Sequence, residues 1–141
     1  MMTYLAVAGA ALFTVIALIH CAWAATGRVP AAVIPTRRDG SPLFEPKRIE
    51  SAVVATVLLV AALLLLQRGG VGPMLVPKML RVLGSGLVSV VMLMRGMGDF
   101  AYLGLFKRER SSLFGRMDTR YYTPLVLALG VIAGLVSYGG R

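Results

Sequence analysis

The sequence is poor in the residues that most chemistry needs. Among 141 residues there are one cysteine, one histidine and six acidic residues. Cys21 alone makes no intrachain disulfide, so cysteine use defines no redox compartment. One histidine and one cysteine fall short of the three or four protein ligands a zinc site uses. No His-x-x-His or Cys-x-x-Cys pair, strand-linked glycine-rich phosphate loop or Ser-His-Asp set stands out. No metal and no other cofactor is expected. Lys and Arg are also missing ahead of the first apolar run. That argues against a cleaved signal peptide, although Ala22-Trp23-Ala24 resembles a cleavage site, and the run is read as a retained helix.

Apolar residues are abundant: 57% of the chain is hydrophobic and its mean hydropathy is +0.79. A soluble domain this short has too much surface for its volume to hide so much apolar area. A bilayer removes that difficulty. About 20 apolar residues cross a hydrocarbon core, and four runs qualify, at about 4–26, 49–67, 78–106 and 121–138. The fold class expected is all-α, a single domain (1–141) forming a four-helix membrane bundle. Gly27 and Pro30 end the first span, and Asp39-Gly40 marks a turn in the loop that follows. Gly84, Ser85, Gly86 and Ser89 of the third span are small, as membrane helix contacts often are, although Gly86 and Val90 complete no small-xxx-small pair. A helix from Arg81 to Lys107 would be about 39 Å long, more than the hydrocarbon thickness, so the span must tilt, kink near Gly96 and Gly98, or protrude.

The net charge is +9. Without the signature of a nucleic-acid-binding fold, nucleic acid is not an expected partner. The basic residues instead sit between the spans. Loops 27–48 and 107–120 hold ten Lys and Arg, against four (Arg68, Lys78, Arg81 and Arg141) on the other side. The positive-inside rule then places those loops in the cytoplasm and both termini outside, in a plasma (inner) membrane. The bilayer is the first expected partner.

The stretch 94–107 is the anomaly. Arg95 and Asp99 stand four apart at the end of an apolar run, where on a helix they share a face and form an ion pair. Tyr102 and Phe106 continue that face. Ionisable residues inside a membrane span point to function. From helix rise, His20 lies about 24 Å along the first span and Arg95 about 21 Å from Arg81 along the third. Those spans run in parallel, so His20, Arg95 and Asp99 share a layer. Trp23 sits one turn beyond His20. The first turns of the antiparallel spans bring Glu50, Tyr121 and Tyr122 to the same end. Trp23, Tyr121 and Tyr122 also suit an interfacial aromatic belt. Glu50 suits the positive end of its helix dipole, and Asp118 suits a helix N-cap, with Thr119 competing for that role.

Three segments resemble a known family. They are His20-x-x-Trp23, then Arg95-Gly-Met-Gly98-Asp99-Phe-x-Tyr102-x-Gly104-Leu-Phe-Lys107, and Phe114-x-x-x-Asp118-Thr-x-Tyr121-Tyr122-x-Pro124-Leu125. The pattern is similar to that of small bacterial four-helix membrane proteins classed as a domain of unknown function. The resemblance covers nearly the whole chain and implies an integral membrane protein, with no activity attached.

Three functional readings follow. In the first, His20, Trp23, Glu50, Arg95, Asp99, Tyr102, Asp118 and Tyr122 contribute to a polar pocket near the cytoplasmic face. Arg95 there binds a small anionic ligand or a lipid headgroup. In the second the same residues only knit the bundle of an accessory subunit, with a second copy or another membrane protein as partner. In the third, His20 and Asp99 carry protons in an enzyme or carrier.

Overall fold

A computed structural model of the chain describes residues 1–37 and 39–140. Arg38 and Arg141, counted above among the loop and terminal cations, lie outside the described residues. The helices are α1 (Met2–Thr26), α2 (Arg48–Arg68), α3 (Lys78–Met97), α4 (Leu113–Met117) and α5 (Thr123–Gly139). A π-helical turn, Asp118–Tyr122, joins α4 to α5 into one continuous helix, Leu113–Gly139. Four helices are thus long and apolar enough to cross a membrane. This is a multi-pass membrane protein. Among the described residues there is no strand, only an isolated bridge between Thr36 and Pro42.

α1 packs chiefly on α2, and α3 on α5. α2–α3 and α1–α5 contacts close the ring. The centre is built from Ala6, Ala10, Phe13 and Ala17 of α1, Ala61, Ala62 and Leu65 of α2, and Leu129, Ala133 and Val136 of α5. Small side chains dominate because, in lipid, helices associate by close backbone approach rather than by escape from water. The α3–α5 seam illustrates this. Ser85 and Ser89 are buried, and Ser89 Oγ donates to the Gly130 carbonyl at 2.7 Å. A Cβ built on Gly130 would lie 2.8 Å from Leu93 Cγ. Large apolar residues such as Val57, Leu83 and Leu87 point outward, as lipid-facing residues should.

Two boundaries differ from the sequence expectation. α3 stops at Met97 rather than near residue 106, because Gly98 leaves the helix at φ +92° and the chain turns back. Leu105 N donates to the Gly96 carbonyl at 2.9 Å, and Phe106 N to that of Met97. Residues 98–106 are therefore a compact loop with its ends together, not a helix extension. The fourth span begins at Leu113 rather than Tyr121, with Ser112 as its cap: its Oγ accepts from Gly115 N at 3.0 Å. Pro124 consequently lies inside a helix, not in its first turn. It has no N–H for the residue 120 carbonyl, and the adjoining turn widens so that Thr123 N reaches the Asp118 carbonyl. π-turns of this kind recur at functional sites.

The first loop folds back over the bundle. Its 3-10 turn, Ala31–Val33, packs on α4, and Tyr122 OH lies 3.4 Å from the Ala32 carbonyl.

Candidate functional site

Asp118 is the centre of the loop end. It is fully buried, on the π-turn. Its Oδ1 accepts from Arg95 Nη2 at 2.9 Å. Its Oδ2 accepts from Lys107 Nζ at 2.9 Å, Thr123 Oγ1 at 2.9 Å and Gly104 N at 3.0 Å. Both oxygens are occupied, so the carboxylate is a fixed negative post. Lys107, 3% exposed, also donates to the Gly104 carbonyl at 3.1 Å. Two cations and one anion leave this group, buried at Lys107 and Asp118, with a net charge of one positive. Arg95 is only partly covered, yet its Nη1 is shielded and has no acceptor among the described residues.

The expected Arg95–Asp99 ion pair is not formed. The helix ends between the two residues, so the four-residue spacing no longer places them on one face. Asp99 faces the loop instead, where its Oδ1 accepts from the amides of Ala101 (2.9 Å), Tyr102 (2.7 Å) and Leu103 (2.9 Å). Burial alone would raise the Asp99 pKa, but these three donors outweigh it and hold the carboxyl below its ordinary value. A lowered carboxylate contributes stability that is complete above its unfolded pKa, about 3.9, and is lost as pH falls through the lower folded value. Amide exchange in residues 99–106, corrected for intrinsic rates, should therefore hold steady from neutral pH to about pH 5 and quicken below about pH 4. Asp99→Ala should show the quickened exchange at neutral pH, at a local cost of about 1 kcal/mol, the usual size of a lost cap.

The other candidates divide. Tyr102 lines an open cleft of about 430 Å³ together with Arg37, Asp39, Ala101, Arg108 and Glu109. Tyr122 sits beside Asp118 on the π-turn, with its ring 6.0 Å from that of Phe114. His20 donates from Nδ1 to the Ile16 carbonyl of its own helix (2.9 Å) and packs its ring 4.7 Å from that of Trp23. Glu50 accepts from Lys47 N at 3.0 Å and caps α2. Among the described residues no hydrogen bond or ring contact joins His20, Trp23 or Glu50 to the Asp118 group. Asp118 is not the cap of the fourth span, and neither is Thr119, whose Oγ1 bonds back to the Gly115 carbonyl within the helix.

Compared with known families, the sequence matches one described as "Protein of unknown function (DUF3995)" over residues 13–133. The chain belongs to this family. No curated protein and no solved structure matches it. The span of the match takes in the whole Arg95–Lys107–Asp118 group, the loop that builds it and His20-x-x-Trp23.

Sequence reasoning missed Lys107 as a site residue, counting it among the loop cations. The signal was present in the glycines. Gly98 and Gly104, both at positive φ and with their backbones in close approach, are what let the loop close and carry Lys107 back inside.

Proposed function

We propose that this membrane protein binds an anionic group, of a small ligand or a lipid headgroup, at the Arg95–Lys107–Asp118 site. The observation that carries the reading is Arg95 Nη1, a shielded guanidinium nitrogen without an acceptor among the described residues. Such a donor is costly to leave unpaired, and an anionic oxygen from outside the chain meets the need. Asp118 fixes the guanidinium plane through Nη2, and Lys107 leaves the group with surplus positive charge. Arg95 itself is part-exposed at the end of a membrane span, near the depth of lipid phosphates, and Phe100, Leu105 and Phe106 of the loop that follows are exposed and apolar. By the distribution of Lys and Arg, this end faces the cytoplasm.

The saturation of Asp118 favours a second reading, in which the group is solely a clamp between loop and helix. Native mass spectrometry of the full chain, released from bilayers containing anionic lipid, separates the two. Binding through Arg95 predicts an anionic adduct on the wild type that Arg95→Gln weakens roughly 10- to 100-fold, the worth of one charge-assisted hydrogen bond, with helical content retained. A clamp alone predicts that Arg95→Gln lowers stability and leaves the adduct pattern unchanged.

A further inference from the structure

The outer face of α3 carries an apolar row that does not stop where the helix stops. Leu87, Val90, Met94 and Met97 recur at spacings of three and four, so they share one face, and all four are exposed. On a membrane span that face meets lipid. Beyond Met97 the chain turns back and the exposed apolar residues continue. Phe100, Leu105 and Phe106 are 62, 49 and 57% exposed. Three large apolar side chains presented by one short loop mark an interaction surface.

Depth decides what that surface meets. The 20 residues of α3 extend about 30 Å, which matches the hydrocarbon core. Met97 therefore stands at one margin of that core. The loop does not rise away from it. Leu105 N and Phe106 N donate to the carbonyls of Gly96 and Met97, so both residues are held at the level of the last helical turn. Phe100 is kept with them, its ring stacked on that of Phe106 with the centroids 6.0 Å apart. Exposed cations follow at once, Arg108 and Arg110. Arg110 Nη2 donates to the Leu105 carbonyl at 3.1 Å, so its charge sits directly against the apolar tip. Aromatic and apolar side chains bordered by arginine are the composition of a hydrocarbon–headgroup boundary.

The backbone of the loop suits that depth. Where water is scarce, an irregular segment has to satisfy its polar groups inside the protein. Amides 101–103 donate to Asp99 Oδ1, Gly104 N to Asp118 Oδ2, and Leu105 N and Phe106 N to the helix end. The Ala101 carbonyl accepts from Arg108 N and Glu109 N. The amides 101–106 thus need no water. Phe100 meanwhile holds φ +63°, the one positive value outside glycine among the described residues. Bulky side chains rarely adopt that region, and here it accompanies a ring turned outward instead of into the bundle.

We propose that residues 98–106 form a membrane-seated loop, with Phe100, Leu105 and Phe106 inserted at the hydrocarbon–headgroup boundary of the leaflet on the loop side. The surface they meet is lipid, not a second protein chain. The proposal does not rest on anion binding by Arg95. It uses side chains on the outside of the loop, none of which belongs to the Arg95–Lys107–Asp118 group.

Spin labelling of the full chain in lipid bilayers tests it. Cys21, the one cysteine, is first replaced by Ser. Labels are then placed singly through Leu105→Cys and Phe106→Cys, with Leu87→Cys as the lipid-facing reference. Collision with molecular oxygen, which concentrates in hydrocarbon, is compared with collision with a water-soluble nickel chelate. The expected result is oxygen favoured severalfold at 105 and 106, in the same sense as at 87 but by a smaller ratio. Equal or greater collision with the chelate at either position places the loop in water and overturns the proposal. Exclusion of both reagents overturns it too, since protein then covers the tip; dipolar broadening between labels would identify that protein as a second copy. Circular dichroism confirms that each labelled chain is helical. Should one labelled position not assemble, the other decides, with Phe100→Cys as its replacement.

Discussion

Asp118→Asn is expected to destabilise the protein by about 3–5 kcal/mol, the range for breaking a buried ion pair from one side. The substitution keeps the size of the side chain and removes its charge. Lys107, with 1% of its side chain exposed, then loses its one ion-pair partner among the described residues and must either deprotonate or leave. Leaving means opening the loop, since Lys107 also bonds the Gly104 carbonyl and Gly104 N bonds Asp118. SDS titration of the full chain in micelles, followed by circular dichroism, measures the loss. Replacing Lys107 by Met in the Asp118→Asn background should recover part of it, because the stranded cation goes too. A loss below about 0.5 kcal/mol, the size of an ordinary surface change, would show that Lys107 does not depend on Asp118.

Gly98→Ala should be comparably severe for a different reason. Gly98 sits at φ +92° and ψ −174°, a region essentially reserved for glycine, and forcing another residue there costs about 1–3 kcal/mol. A Cβ at this position would also fall 1.7 Å from the Leu103 carbonyl oxygen. That contact is with backbone, so no rotamer relieves it, and the loop cannot close as it stands. Gly72→Ala is the control. Gly72 has a similar φ of +75°, but a Cβ there meets nothing within 4 Å, so only the strain remains. Because Gly98 closes the loop that delivers Lys107, Gly98→Ala and Asp118→Asn should be strongly non-additive. Full additivity would separate the loop from the buried group.

The four spans were legible because length and apolarity are all that a bilayer demands of a helix. Ser85 and Ser89 were legible as contact residues for the same reason, small side chains being the means of close approach. The end of α3 was not. Phe100, Leu103, Leu105 and Phe106 continue the apolar run, and the Arg95–Asp99 spacing imitates a helical pair. The excess length of the span allowed a kink near Gly96 and Gly98, one of three options with tilt and protrusion, but that Gly98 ends the helix becomes readable only with the positive φ values at 98 and 104 in hand. The partner of Arg95 is 23 residues away in sequence, and local spacing cannot reveal such a pairing. Asp118 was identifiable as a polar residue near a helix start. Its burial depends on the helix beginning earlier, at Leu113, and on the π-turn imposed ahead of Pro124. The shared layer of His20, Glu50 and Arg95 follows from helix rise alone; rise fixes depth but not which way a side chain turns, and His20 bonds within α1 while Glu50 caps α2.

The account turns on which carboxylate Arg95 depends on. A double-mutant cycle answers this, with Arg95→Gln combined separately with Asp118→Asn and with Asp99→Asn and stability read by SDS titration. The predicted result is a coupling of about 1–3 kcal/mol between Arg95 and Asp118, the range for contacting charged groups, and additivity within about 0.5 kcal/mol for Arg95 and Asp99. Coupling to Asp99 with none to Asp118 would contradict the loop geometry, and with it the site proposed around Arg95.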